Sequence, residues 1–111
     1  MKISENRVGT VDVIKPAGPL VDDDAEAFIS LVNRRLEAPN PRFVLDMEAV
    51  AYLDSRGIEG LVEIADALEQ RGGRLRMAAA SGTCREVLEL TGHSHRADYF
   101  EDAHTAVRSF K

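Results

Sequence analysis

Phe43-Val44-Leu45-Asp46-Met47-Glu48-Ala49-Val50-Ala51-Tyr52-Leu53-Asp54-Ser55-Arg56-Gly57-Ile58-Glu59-Gly60-Leu61 passes from a strand through a short connector into a helix. Phe43 to Met47 is almost wholly apolar, as expected of a strand covered on both faces. Beyond the connector, Ile58, Leu61, Val62, Ala65 and Leu68 recur at three- and four-residue steps, the spacing of one helical face. The helix opens at Asp54-Ser55, where the Ser55 hydroxyl can cap the unpaired N–H groups of the first turn. A phosphate on that hydroxyl would add about −1.5 to −2 charges at a helix end that favours negative charge. Ser55 therefore reads both as a cap and as a position that can be switched without unfolding the helix.

Upstream, Lys2 to Val8 and Thr10 to Ala17 read as a hairpin turning at Gly9, with Val11 and Val13 alternating against Thr10 and Asp12. Pro16, Gly18 and Pro19 end it. Asp22, Asp23 and Asp24 then precede Ala25, Phe28, Ile29, Val32 and Leu36, which fall on one helical face. Acids at a helix start suit both capping and the helix dipole. Pro39-Asn40-Pro41 stops this helix before the Phe43 strand.

Downstream, the Ser55 helix runs to about Arg71 and closes on Gly72-Gly73. Arg74 to Ala80 is the next strand, and Ser81 opens a helix through Leu90 that stops at Gly92. Periodicity fails from His93 to Asp98. Tyr99-Phe100 is a brief edge strand, and Ala103, Ala106, Val107 and Phe110 mark a last amphipathic helix. Strands alternating with helices after an opening hairpin predict an α/β fold: one small mixed sheet with about four helices packed against it. With 111 residues the chain is read as a single domain, 1–111.

A formal charge of −5 argues against general binding to nucleic acid or an anionic membrane surface. Basic patches are confined to Arg34-Arg35 and to Arg71–Arg76. Cys84 is the only cysteine, so no internal disulfide can form. The first residues lack the apolar stretch of a signal peptide, and nothing approaches the roughly 18 consecutive apolar residues of a membrane span. A cytoplasmic location without direct membrane insertion is the expectation.

The strand, the connector and Asp54-Ser55-Arg56-Gly57 opening a helix together resemble the signature of STAS domains of the anti-anti-sigma factor (anti-sigma factor antagonist) type. Gly18-Pro19-Leu20, Gly72-Gly73 and Val87-Leu88-Glu89-Leu90-Thr91-Gly92 extend the resemblance over nearly the whole chain. It implies a phosphoprotein of bacterial transcription regulation whose phosphoacceptor is Ser55, with Asp54 as the neighbouring acid. The implied partners are an anti-sigma factor serine kinase, bound when Ser55 is unphosphorylated and released when it is phosphorylated, and a cognate phosphatase. The implied docking face comprises Val21, Asp22, Asp23, Asp24, Asp54, Ser55, Arg56, Gly57, Ile58 and Glu59. Two positions depart from the pattern. Arg56 stands where many members carry a second Ser or Thr, and Gly18-Pro19-Leu20-Val21 replaces a Gly-Glu-Leu-Asp segment. Arg56 is expected to fold back onto a phosphate and partly neutralise it.

Other chemistries find little support in the chain. A receiver-type phosphoaspartate domain needs a lysine after a late strand, and Met77 to Phe110 contains none. Gly57-Ile58-Glu59-Gly60 resembles a nucleic-acid-clamping loop, but it carries Glu59 in an acidic chain; small residues for close helix approach explain it better. Among Cys84, His93, His95 and His104 only His93-Ser94-His95 has a useful spacing, so no metal site is expected. There is no Gly-x-Ser-x-Gly elbow, and no catalytic residue or cofactor is expected; the chain is read as a non-enzyme. A constitutive regulatory or scaffold subunit of a transporter or signalling complex, with Ser55 unmodified, is the alternative. A nucleotide-binding module is a third reading, without a Gly-rich phosphate loop to support it.

Overall fold

In the computed structural model, which describes residues 1–110, the chain builds its sheet one strand at a time. Strand β1 (Lys2–Val8) and strand β2 (Val11–Ala17) form the expected antiparallel hairpin, turning at Gly9 with φ +63°. Helix α1 (Asp22–Leu36) then carries the chain to β3 (Phe43–Asp46), which lies parallel to β2. Helix α2 (Ser55–Gln70) leads to β4 (Leu75–Ala78), and α3 (Gly82–Leu90) leads to β5 (Ala97–Phe100). Helix α4 (Ala103–Arg108) closes the order. The strands lie side by side in chain order, β1-β2-β3-β4-β5, with β5 at an edge as expected.

Because every crossover advances the sheet in one direction and crossovers share one hand, their helices fall on one face. Phe28 and Ile29 of α1, Leu61 and Ile64 of α2, and Cys84 and Leu88 of α3 share a single core with Ile14, Leu45 and Met77 of the sheet. Val11, Val44 and Ala78 point the other way and meet Ala106 of α4, following the two-residue alternation of strands. Ala25, Phe28, Ile29, Val32 and Leu36 are all buried, as the spacing of α1 predicts.

The remaining differences have local causes. β4 ends at Ala78 rather than Ala80, because Ala79, whose N–H still donates to Phe100 O, takes φ +55° and turns the chain away from the sheet. Ser81 stays outside α3 as its cap, its Oγ accepting from the Cys84 N–H at 3.1 Å. The aperiodic stretch before β5 holds a short 3₁₀ turn, Ser94–Arg96. Arg96 fastens that turn to Asp66 and Glu69 of α2, so ion pairs position it where apolar spacing does not. Among the described residues no helix is long and apolar enough to cross a membrane.

Candidate functional site

The connector Met47–Asp54 is zipped to the segment after β2. Gly18 N–H donates to Ala49 O (3.1 Å), Leu20 N–H to Tyr52 O (3.2 Å) and Asp54 N–H to Leu20 O (3.2 Å). Leu20 and Leu53 form an isolated parallel bridge, and both are buried. This extension of the β2–β3 pairing sets the start of α1 beside the start of α2. Val21 and Asp22 are thereby brought next to Asp54 and Ser55.

Asp54 is the cap of α2. Its backbone is extended (φ −100°, ψ −174°), and Oδ1 accepts from the Gly57 N–H at 2.9 Å. Ser55 is the first helical residue, exposed, with its hydroxyl outside the capping bond. The expectation that Ser55 caps the helix is corrected here by one position. A carboxylate on an extended residue reaches the third N–H along, and Asp54 holds that place.

The second Asp54 oxygen does a different job. Oδ2 accepts from the Asp22 N–H at 2.9 Å, at the start of α1. Val21, the N-cap residue of α1, makes no side-chain cap bond, so the cap comes from across the site. The capping expected of the Asp22–Asp24 run is therefore supplied by Asp54. Asp22 itself adopts φ +47°, a left-handed conformation in which Asp and Asn are the commonest non-glycine residues. The Gly57 N–H first, and the Asp22 N–H next, hold the Asp54 carboxyl below its ordinary pKa. One anion thus satisfies the N-termini of two helices.

The rest of the expected docking face divides in three. Ser55, Glu59, Asp22 and Asp23 are exposed, while Val21, Asp24, Arg56 and Ile58 are half-buried. Asp24 lies 3.2 Å from the Met1 ammonium. Gly57 is buried beneath the face: a Cβ there would stand 2.5 Å from Leu20 O. It belongs to the support of the site rather than to its surface.

Arg56 does not fold back over Ser55. Its Nε donates to Glu26 of α1, and its Nη1 lies 3.4 Å from Glu63 and 3.8 Å from Glu59. Hydrogen bonding to Arg56 holds Glu26 below the ordinary glutamate pKa. The guanidinium is thus committed to carboxylates further along α2 and α1, which the spacing of Arg56 and Glu63 hints at but Glu26 does not. Tyr52, which no pattern in the sequence marks, is 51% exposed on the connector, two residues before the Asp54 cap. The connector around it is mostly apolar, and an aromatic there reads as core.

The family model for the STAS domain matches residues 3–106. Nothing among curated proteins matches the chain. Among solved structures, a Thermotoga maritima protein described as a candidate anti-sigma factor antagonist superposes with TM-score 0.87 at 19% identity, covering 96% of this chain and 92% of that one. The anti-sigma factor antagonist SpoIIAA in its unphosphorylated form gives 0.77 at 18% identity, covering 97% and 96%. The murine anion transporter Slc26a9 also gives 0.77 at 19% identity, with 94% of this chain matching 18% of the transporter. At these identities the structures attest the fold, and the family model spans nearly all of the sequence: the chain belongs to the STAS domain family.

Proposed function

We propose that this STAS domain is an anti-sigma factor antagonist that docks an anti-sigma factor serine kinase through the face around Ser55 and is released when Ser55 is phosphorylated. The observation that carries the reading is the placement of Ser55: exposed at the first turn of α2, with its helix capped by Asp54 instead. A kinase can modify this hydroxyl without breaking a cap or a core contact. The domain itself contributes no catalysis; the kinase brings the base and the magnesium–nucleotide, and a phosphatase resets the serine.

The switch is one of desolvation and charge. A phosphate at Ser55 is welcomed by the α2 N-terminus, so the domain stays folded. Within the face, however, Asp22, Asp23, Asp54 and Glu59 are all acidic, and Arg56 is already taken by glutamates. A partner closing over that dianion must strip its water without a resident cation to compensate. Binding that tolerates a hydroxyl then fails with a phosphate.

The test pairs phosphosite mapping in the protein's own cells with binding to the kinase in vitro. Phosphate on Ser55 that varies with growth condition, and loss of kinase binding in Ser55→Asp with an unchanged circular dichroism spectrum, are the expected results. A constitutive subunit is the second reading, supported by a likeness to part of a transporter with the same TM-score as that to SpoIIAA. Ser55 unmodified under every condition, with Ser55→Asp still bound to its partner, would establish that reading instead.

A further inference from the structure

An acidic chain collects arginines at the end of the molecule remote from Ser55. Helix α2 has 16 residues and so carries the chain about 24 Å from that serine. There, the loop between α1 and β3, the end of α2, the starts of β3 and β4, and Phe110 enclose a cleft of about 270 Å³. Arg42, Arg71, Arg74 and Arg76 line it, and no carboxylate does among the described residues.

Two of these arginines have structural work. Arg71 donates to the carbonyls of Leu36, Ala38 (2.8 Å) and Pro39 (3.0 Å), closing the end of α1. Arg74 pairs with Asp98 at 3.1 Å. The other two keep donors in hand. Arg42 has one side-chain bond, to Thr10 Oγ1 at 3.4 Å. Arg76 gives Nε to Ser109 Oγ at 2.8 Å, leaving both terminal nitrogens without a protein acceptor among the described residues.

Both guanidinium groups line the same cleft and approach one ring. Their central carbons lie 5.9 Å (Arg42) and 3.7 Å (Arg76) from the centroid of the Phe110 ring. Burial holds Arg76 below the ordinary arginine pKa; Asp98 opposes this, and a smaller repulsion from Arg42 adds to it. Bringing like charges together beside an open cleft costs free energy, and an anion in the cleft would relieve it.

We propose that this cleft binds a phosphoryl anion, gripped between the guanidinium groups of Arg42 and Arg76. Planar guanidinium donors match phosphate oxygens in pairs, where a lysine would offer only a point charge. The volume falls just below the roughly 300–1,000 Å³ of small-molecule sites, so the ligand is small. Pro39, Pro41 and Leu68 add an apolar wall that can accept an organic body carrying the phosphate.

Calorimetric titration of the full chain with inorganic pyrophosphate and with phenyl phosphate, against sodium chloride of matched ionic strength, tests this. At least one anion should bind with Kd below about 1 mM, and Arg42→Gln and Arg76→Gln should each weaken it about tenfold. Tighter pyrophosphate identifies a free polyanion; tighter phenyl phosphate identifies a phosphoryl group carried on a small molecule. Arg42 has so slight a structural role that Arg42→Gln should fold even if Arg76→Gln does not. No binding beyond the chloride control, or binding undiminished in folded Arg42→Gln, would overturn the proposal.

Discussion

The Asp54 carboxylate joins the start of its own helix to Asp22, accepting from the Gly57 and Asp22 N–H groups at 2.9 Å each. Its folded-state pKa is lowered, so its contribution is complete above the ordinary aspartate pKa of about 3.9 and is lost as pH falls through the lower folded value. Asp54→Asn should therefore be less stable than the parent at neutral pH, and the gap should narrow as the solution is acidified below about pH 4. Urea midpoints measured from pH 7 to pH 2.5 check this. A gap independent of pH would show that the carboxylate charge is not what binds the two helices.

Gly57→Ala should destabilise by about 2 kcal/mol, since the new methyl meets Leu20 O at 2.5 Å and a backbone carbonyl cannot rotate aside. Gly60→Ala makes an instructive contrast. Its Cβ meets the Cδ1 and Cγ1 atoms of Ile29, a side chain that can change rotamer. Chemical denaturation should rank Gly57→Ala as the worse of the two; the reverse order would place the tight point of the α1–α2 approach elsewhere.

Ser55→Ala should leave stability within about 0.5 kcal/mol of the parent, as for an exposed residue away from any special contact. A loss near 1 kcal/mol, the usual cost of deleting a cap, would return the capping role to Ser55. Thermal melts of the two proteins side by side decide it.

Among the described residues the buried Tyr99 hydroxyl has no hydrogen-bond partner, and the Arg85 guanidinium lies 4.5 Å from its ring centroid. Tyr99→Phe removes that polar atom, so stability should hold or rise by up to about 1 kcal/mol. Burial also raises the Tyr99 pKa, so its contribution is complete below the ordinary value of about 10 and fades as pH climbs through the raised one. Tyr99→Phe should lack that part of the alkaline loss. A clear destabilisation at neutral pH would mean the hydroxyl is bonded to an ordered water.

Wherever side chains report burial directly, the sequence is a good guide to this molecule. Ala25, Phe28, Ile29, Val32 and Leu36 are legible because all five are apolar and all five face the core. On α2 the same reasoning finds Leu61, Ala65 and Leu68, which are buried, with Ile58 and Val62 half-buried at the margin, but it misses Ile64, Gly57 and Gly60 on the buried face. Glycines carry no apolar signal, yet they mark the closest approach to Leu20 and Ile29.

The residues of the candidate site are readable in the sequence, but their wiring is not. Asp54 and Ser55 stand out together, but which of them caps depends on a single backbone angle. The bond from Asp22 to Asp54 spans 32 positions, and the Arg56–Glu26 pair spans 30; no local spacing encodes either. In the unphosphorylated chain Arg56 is engaged by three glutamates, and none of these pairings is marked by its neighbourhood to Ser55.

Strand order has a consequence for how the molecule comes into being. Each strand pairs with its predecessor, so a chain emerging from the ribosome can add to the sheet as it lengthens, beginning with a hairpin complete by Ala17. Closure never has to wait for a distant segment, which keeps the entropy of loop closure low at every step. The cost is an open parallel edge carried forward throughout synthesis, a template for pairing with other nascent chains. That hazard ends on β5, only four residues long, while the opposite edge, β1, carries Lys2, Glu5 and Arg7 along its length.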